Sequence, residues 1–306
     1  MSVFNQPHFH NEEAAYAFVE KRVWPTGPVC PHCGGFDRIG KLEGNSTRIG
    51  VHKCYQCRKP FTVKVGTVFE ASHVKLHLWL QAMFLMASSK KGISSNQLHR
   101  TLGVTLKTAW FMSHRLREAM TTVGFEPMGG RGSIVEVDET YFGDKELVTK
   151  RTKKGKSGLS GKRAVVSLVE RNGKSRSFYA PQINQLAVRD ILLNNLHRGT
   201  SLTTDESKLY APMAGVFKSH ETVHHAAGEY VRGEVYTNTV EGFFSIFKRG
   251  MKGIYQHCSE KHLQRYLAEF DFRYSNRVAL GVNDEARTDH MVRGIVGKRL
   301  TYRTIN

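Results

Sequence analysis

The hydrophobic pattern in the first part of the chain predicts helices around a cysteine-rich segment. Residues 11–23 are amphipathic and begin at Asn11, a residue type that favours helix caps. A cysteine module follows at 28–66. Residues 74–87 (VKLHLWLQAMFLMA) are apolar on nearly every side, which predicts a buried helix.

A further pair of helices is joined by a short turn. Ser94 begins a capping box for a helix that ends at Leu102, and Gly103 marks the turn. Thr105 can cap a longer helix that ends at about Thr121. The pattern is therefore helix, turn, helix.

After a linker at 121–132, which holds four glycines and one proline, the pattern changes to short strand-like runs. SIVEVDETYF at 133–142 predicts one strand, and the runs on either side of Asn172 and Gly173 predict a hairpin. Together these runs and the helices predict an α/β domain. Its further expected elements are a helix at 184–196, a strand at 200–205 and helices after 238, including an amphipathic one at 259–275.

Charge and composition narrow the choice of partner. The 306 residues include 45 Lys and Arg against 27 Asp and Glu, a formal net charge of +18, which favours nucleic acid or an anionic membrane surface. The chain lacks an apolar run of about 18 residues, and its first residues lack the basic and apolar segments of a signal peptide. We therefore expect a cytoplasmic, nucleoid-associated protein without a membrane partner.

The cysteines are spaced for a metal. Five cysteines, an odd number in a chain without an export signal, argue against a disulfide framework. Two CxxC pairs, Cys30 with Cys33 and Cys54 with Cys57, are separated by twenty residues. Two such pairs complete a tetrahedral cage of thiolates, which predicts a structural Zn2+ without an open coordination position. Cys258 lies apart from them and is expected to be a small buried hydrophobe.

The second helix of the helix-turn-helix pattern is a candidate DNA reader. Basic and hydrogen-bonding residues near its beginning suit the major groove, flanked by phosphate contacts. The alternative is a plain helical hairpin with a charged outer face. The candidate DNA contacts on this helix are Lys107, Thr108, His114, Arg115 and Arg117.

A basic run lies between the first two predicted strands. Residues 143–163 hold eight Lys or Arg and two Asp or Glu. Such a run forms either a solvated loop or a loop that contacts phosphates. In the second case, Lys153 and Lys154 are the candidate contacts.

Three acids occur where they suit metal binding. Asp138 lies on a strand and shares one face with Glu136. Asp205 stands where a later strand ends, and Glu241 lies on a helix after the sheet. Each acid also has a structural explanation. Asp138 could be part of a solvent-facing strand surface, Asp205 could cap a helix, and Glu241 could close a capping box with Asn238.

The order of the acids allows them to converge at one edge of an α/β sheet. Hard Mg2+ or Mn2+ ions take oxygen ligands, and two of them about 4 Å apart can activate a nucleophile and stabilise the leaving 3' oxygen of a phosphodiester. Lys248 lies two helical turns after Glu241 and can reach the phosphate of bound DNA. The alternative interpretation of Lys248 is a solvated charge beside Arg249. Glu269 and Asp271 are further candidates for the third acid.

In combination these motifs resemble the bacterial insertion-sequence transposases of family fifteen-ninety-five. That family joins an N-terminal zinc ribbon, a helix-turn-helix and a DDE domain of ribonuclease H-like fold. The resemblance covers about residue 12 to about residue 280. It rests on CPHCGG at 30–35, YQCRKPFTVKVGTVFE at 55–70, VEVDETYFG at 135–143, TDESKLY at 204–210, NTVEGFFSIFKRG at 238–250 and HCSEKHLQRYLAEFDFRYSNR at 257–277.

The resemblance implies a mixed sheet flanked by helices, with a small zinc ribbon and a helical helix-turn-helix domain before it. It places the family's metal-binding triad on Asp138, Asp205 and Glu241, and its helix lysine on Lys248. Related subgroups use another third residue, so Asn238 is an alternative to Glu241. The expected domains are an N-terminal helix and zinc ribbon at 1–73, the helix-turn-helix at 74–122, a linker at 123–132, the catalytic domain at 133–280 and a basic tail at 281–306.

The implied function is a transposase that binds terminal inverted repeats of double-stranded DNA. It would cut the element's ends and join each 3' hydroxyl to target DNA, as a homodimer or larger assembly. One alternative is a non-catalytic DNA-binding regulator derived from such an element. Another is a nuclease of the same fold that cuts structured DNA without strand transfer.

Overall fold

The computed structural model describes residues 2–122, 124, 126–144 and 162–301. The helices are α1 (Glu12–Val23), α2 (Leu76–Ser88), α3 (Ser95–Leu102), α4 (Leu106–Met120), α5 (Gln185–Asn195), α6 (Asn238–Gly250), α7 (Leu263–Ser275) and α8 (Asp284–Arg293). The strands are β1 (Ile39–Lys41), β2 (His52–Cys54), β3 (Pro60–Phe61), β4 (Ile134–Asp144), β5 (Lys162–Glu170), β6 (Ser175–Ala180), β7 (Ser201–Asp205), β8 (Ser219–Val223), β9 (Val231–Arg232) and β10 (Val235–Tyr236).

The chain divides into two compact units. Unit 1 consists of Met1–Ser89, Ile93–Thr121 and Asn283–Asn306, and unit 2 of Lys90–Gly92 and Thr122–Val282. Within the described residues, none of the helices combines the length and the apolar character needed to cross a membrane.

Unit 1 begins with α1 and a small antiparallel sheet in the order β1, β2, β3. The side chain of Asn11 accepts a hydrogen bond from the backbone N–H of Ala14, so it caps α1 as the sequence predicts. Phe61 and the two buried cysteines, Cys30 and Cys54, form a small apolar cluster beside this sheet. A structural ion suits so small a core, because three short strands bury little apolar area.

The rest of unit 1 is helical. Helix α2 buries most of its length, as its apolar sequence predicts. Ser94 caps α3, Gly103 ends it in the left-handed conformation with a φ of 66°, and Thr105 caps α4 by accepting from the N–H of Thr108. The predicted helix, turn and helix are therefore present at the expected positions.

The segment expected to be a basic tail contains helix α8, which packs in unit 1. Its Met291 and Val292 are fully buried, and the buried Arg287 donates to the carbonyl of Ala87 at 3.1 Å. The side chain of Asn283 caps its first turn. The apolar residues of this helix are few in sequence, so only the tertiary contacts show that the segment belongs to a core.

Unit 2 is built on a five-stranded mixed sheet in the order β6, β5, β4, β7, β8. Strands β4, β5 and β6 are antiparallel, whereas β4, β7 and β8 run parallel. Helix α5 covers one face through Val188 and Leu192, and α6 and α7 cover the other. This strand order, with helices on both faces, fits the ribonuclease H-like fold that the resemblance implies.

The two faces of β4 are chemically different, as its alternating sequence predicts. Val135 and Val137 are fully buried against the α5 side. Glu136 reaches the backbone of α6 on the opposite face. Asp138 follows Glu136 by two residues and shares its face. Helix α7, which covers the same face of the sheet as α6, buries Leu263, Tyr266, Leu267 and Phe270.

Candidate active site and zinc site

The four cysteines of the two CxxC pairs meet in unit 1. Their sulfur atoms all lie within 4.8 Å of one another. The Sγ atoms of Cys30 and Cys57 are 3.6 Å apart, and those of Cys33 and Cys54 are 3.7 Å apart. Tetrahedral zinc with Zn–S bonds of about 2.3 Å requires sulfur separations of about 3.8 Å. The thiolates therefore fit a structural Zn2+, as the spacing predicts, and the separate Cys258 is buried in the core of unit 2.

The first two acids come together at one edge of the sheet in unit 2. Strands β4 and β7 are parallel neighbours, with Ile134 opposite Ser201 and Glu136 opposite Thr203. Continued by two residues, this register places Asp138 level with Asp205. One oxygen of Asp205 also accepts from the N–H of Ser207 at 3.0 Å. Asp205 therefore makes a local capping bond and also belongs to the site.

Glu139 is a third acid in this cluster, and the sequence reasoning did not select it. A carboxylate oxygen from each of Asp138, Glu139 and Asp205 lies within 4.8 Å of the others. The hydroxyl of the buried Tyr210 donates to Glu139 at 2.6 Å. Strand alternation directs Glu139 to the face opposite Asp138, which is why the pattern did not single it out. The pairing of β4 with β7 ends at Glu136. Asp138 and Glu139 lie after this point, and the side chains of both reach the edge of the sheet.

Burial, and after it the charges of neighbouring acids, make the negative charge of this cluster unfavourable. Burial, then the charges of Asp205 and Glu139, raise the pKa of Asp138 to about 7. Burial is also the largest cause that raises the pKa of Asp205 and of Glu139. Oxygen ligands that repel one another in this way suit a hard divalent cation, which would stabilise their ionised forms. The donor set therefore fits a divalent metal.

Glu241 lies on α6 with its side chain 47% exposed. It accepts from the hydroxyl of Thr237 at 3.1 Å, and its Oε1 is 3.8 Å from Nε2 of His225. Its charge is among the lesser causes that raise the pKa of Asp138, so it belongs to the same neighbourhood. Among the described residues, however, the cluster within 4.8 Å contains Glu139 and not Glu241. The structure thus joins the first two acids of the expected triad and leaves the third beside them.

The first turn of α6 carries no capping box. The helix begins at Asn238, an exposed residue, and its cap residue Thr237 makes no side-chain capping bond. Lys248 and Arg249 lie exposed in the last turn, and Lys248 shares the solvent-facing side of the helix with Glu241. These positions agree with the expected spacing along one helical face.

Structural roles account for the other two candidate third acids. Glu269 is fully buried and pairs with Arg273 and with the hydroxyl of Tyr255. Asp271 accepts from the hydroxyls of Ser175 and Ser177, which attaches α7 to β6. Neither belongs to the acidic cluster of the described residues, so neither is retained as the third acid.

The expected DNA contacts on α4 need a correction. Lys107 is exposed and Thr108 is half-buried, but His114, Arg115 and Arg117 are all buried. Arg115 donates to the carbonyls of Val68 and Glu70 at 2.9 and 2.8 Å, a structural role within unit 1. Burial removes His114, Arg115 and Arg117 from the candidate DNA contacts, whereas Lys107 and Thr108 remain candidates. Lys153 and Lys154 lie outside the described residues.

An acidic site at the edge of a mixed sheet, in a chain that also carries a four-cysteine zinc ribbon, agrees with a DDE-type polynucleotidyl transferase, the class that the family comparison supports. Residues 129–275 match the ISXO2-like transposase domain, and residues 10–60 match the transposase zinc-ribbon domain. The chain therefore belongs to the transposases of insertion-sequence family fifteen-ninety-five.

Comparisons with known proteins gave two further similarities. Over 278 residues the chain is 27% identical to an uncharacterized protein in the transposable element ISH50 of Halobacterium salinarum, covering 87% of this chain and 91% of that protein. A chain in the cryoEM structure of the simian T-cell lymphotropic virus intasome in complex with PP2A regulatory subunit B56 gamma aligns with 16% identity and a TM-score of 0.29. That alignment covers 57% of this chain and 63% of the other.

Proposed function

We propose that this transposase binds the terminal inverted repeats of its element and cuts the phosphodiesters at their ends. It then joins each free 3' hydroxyl to target DNA. The observation that carries the proposal is the pair of carboxylates, Asp138 and Asp205, level with each other on parallel strands at one sheet edge. A regulator that only binds DNA has no need of this costly concentration of acids.

Asp138 and Asp205, with Glu241 and the neighbouring Glu139, would hold two Mg2+ or Mn2+ ions. Such ions supply a nucleophile activated for attack and stabilise the leaving 3' oxygen. The protein's own residues set the geometry. Register aligns the two aspartates, and Tyr210 orients Glu139 through its hydroxyl.

The cationic residues would bind the DNA. Lys248 and Arg249, exposed at the end of α6, would contact the phosphates of the strand that is cut. Lys107 and Thr108, at the beginning of α4, would contact the inverted repeat, and Lys153 and Lys154 would add phosphate contacts. His114, Arg115 and Arg117 are left out of this proposal because they are buried.

The test uses the whole protein, Mg2+ or Mn2+, a labelled duplex carrying one end of its element, and a target plasmid. We expect cleavage at the end and joined products. Asp205→Asn should abolish both, whereas Asp190→Asn, a change of an exposed acid on α5, should leave both unchanged. Binding without cutting would favour the regulator. Cuts in branched DNA without joined products would favour the nuclease.

Both ends of an element must be processed together, so a homodimer or larger assembly on DNA belongs to the proposal. Sedimentation of the protein with one and with two end duplexes should show two chains or more holding both ends. A complex of one chain with one end, active in joining, would contradict this part.

A further inference from the structure

The first turn of α6, which carries Glu241, has no side-chain cap from its own sequence. The hydroxyl of Thr237 donates to Glu241 and makes no bond to the first amides of the helix. The first N–H groups of any α-helix have no partner within the helix. For α6 their partner comes from elsewhere in unit 2.

That partner is Glu136 of strand β4, whose side chain is fully buried. One of its oxygens accepts from the backbone N–H groups of Thr239 at 2.8 Å and Val240 at 3.0 Å. The other accepts from the hydroxyl of Thr239 at 2.7 Å. A negative charge is favourable at a helix N-terminus, and a buried carboxylate requires such bonds. Glu136 therefore attaches the first turn of α6 to β4.

Arg171 completes the arrangement. Its Nε donates to Glu136 at 2.6 Å, and its two terminal nitrogens donate to the carbonyls of Glu234 at 2.7 Å and Tyr236 at 3.0 Å. Its guanidinium also stacks over the ring of Tyr236 at 3.5 Å. One ion pair thus joins β4, the β9–β10 hairpin and the start of α6.

We propose that Glu136 is a positioning residue of the active site. It stands two residues before Asp138 on β4, and it binds the two residues that precede Glu241 on α6. The spacing between the first and third acids of the proposed triad is therefore set through this carboxylate. Glu241 is half exposed, so the place of its helical turn decides where its side chain can reach. The inference rests on the proposed function.

Glu136→Gln tests this role. The single amide oxygen can still accept from the N–H groups of Thr239 and Val240, but the NH2 group that replaces the other oxygen cannot accept from the Thr239 hydroxyl or from Arg171. We expect faster amide hydrogen exchange at residues 238–244 and an affinity for Mn2+ alone, measured by titration calorimetry, that falls about 10- to 100-fold. Cutting of the element end should fall with it.

Glu269→Gln is the matched control, because Glu269 is an equally buried carboxylate paired with an arginine, but on α7. It should lower the melting temperature while leaving Mn2+ affinity and exchange at 238–244 as in the wild type. Equal losses of Mn2+ affinity in the two variants would overturn the proposal, since the effect would then come from general destabilisation. Wild-type behaviour of Glu136→Gln would overturn it as well.

If Glu136→Gln does not fold, Thr239→Val takes its place. It removes only the hydroxyl donor and keeps the backbone bonds. A smaller change in the same direction supports the proposal, and unchanged exchange and Mn2+ affinity overturn it. A wild-type protein that neither binds Mn2+ nor cuts DNA would instead contradict the proposed function, a result separate from any difference between variants.

Discussion

Asp138 and Asp205 bring carboxylate oxygens within 4.8 Å of each other from neighbouring parallel strands, although they are far apart in the chain. Their relative position depends on backbone pairing and not on the rotation of a helix. Glu241 differs, because it reaches the same neighbourhood from α6 and bonds to Thr237. The two aspartates thus come from neighbouring strands of the sheet, whereas Glu241 comes from a helix that packs on it.

The third acid can be identified by comparing two changes on α6. Glu241→Gln should abolish cutting of the element end, because an amide cannot replace a charged metal ligand. Asn238→Ala should keep most of the activity, since a neutral amide is a weaker ligand for a hard divalent cation than a carboxylate. Cleavage assays with both variants decide the matter. The reverse pattern would assign the third position to Asn238.

Tyr210→Phe should weaken the metal site without opening the core. The ring remains packed, but Glu139 loses the hydroxyl that donates at 2.6 Å. We expect Mn2+ affinity to fall about tenfold in titration calorimetry. Tyr179→Phe, a change on strand β6, removes a similar hydroxyl bond to Glu260 and is the control. If both variants bind Mn2+ equally well, Glu139 has no part in the site.

Loss of zinc should unfold part of unit 1. Cys54→Ser removes one of four thiolates around which few apolar residues pack, so zinc content measured by atomic absorption should fall. Protease sensitivity within 28–66 should rise at the same time. Cys258→Ser, a change in the core of unit 2, should retain zinc. Full zinc content in Cys54→Ser would speak against the four-cysteine site.

Two basic residues of α4 should behave in opposite ways. Lys107→Ala should weaken binding to the element end and reduce the slope of log affinity against log salt by about 1, as for one lost phosphate contact. Arg115→Ala should lower the free energy of unfolding by about 2 kcal/mol, because it leaves the buried carbonyl of Val68 and the partly buried carbonyl of Glu70 without their donor. Fluorescence anisotropy and urea unfolding provide the two measurements. A stable Arg115→Ala protein with reduced DNA affinity would restore Arg115 as a DNA contact.

The stability of unit 2 should depend on pH through Asp271. Burial raises the pKa of this carboxyl from 3.8 to about 6, so between these values the folded state binds more protons than the unfolded state. Stability contributed by the protonated form is therefore lost as pH rises through this range. Relative to Asp271→Asn, which does not titrate, the wild type should lose about 2 to 3 kcal/mol between pH 4 and 7.

This pH dependence is measured by urea unfolding, monitored through hydrogen exchange in peptides from β6 and α7. Asp190→Asn, the exposed change on α5, provides a comparison that should show the same pH dependence as the wild type. A constant difference between Asp271→Asn and the wild type across this pH range would show that the buried carboxyl does not titrate there.

Local signals predicted much of the fold. The caps at Asn11, Ser94 and Thr105 are formed by the side chains that the sequence suggests, because a cap depends on residues three positions apart. The alternation on β4 correctly separated its apolar and acidic faces. The two CxxC pairs predicted the zinc site for the same reason, since each pair is a local turn.

Other features depend on contacts between distant parts of the chain. Periodicity placed Arg115 and Arg117 on an outer face of α4, but the surrounding fold buries both. Glu139 enters the acidic cluster because β4 extends beyond its pairing with β7. The cap of α6 is supplied by Glu136, about a hundred residues earlier. A helical or strand period describes one element and carries no information on what covers it.

The sequence by itself determined helices α1 to α4 and strand β4, the thiolate cage and the identity of the acids Asp138 and Asp205, because spacing and residue chemistry are local properties. Only the tertiary structure decided that these two aspartates stand level, that Glu139 joins them while Glu241 stands beside them, and that α8 belongs to unit 1. Strand register and helix packing bring these groups together, and both are set by burial of apolar surface across the whole unit.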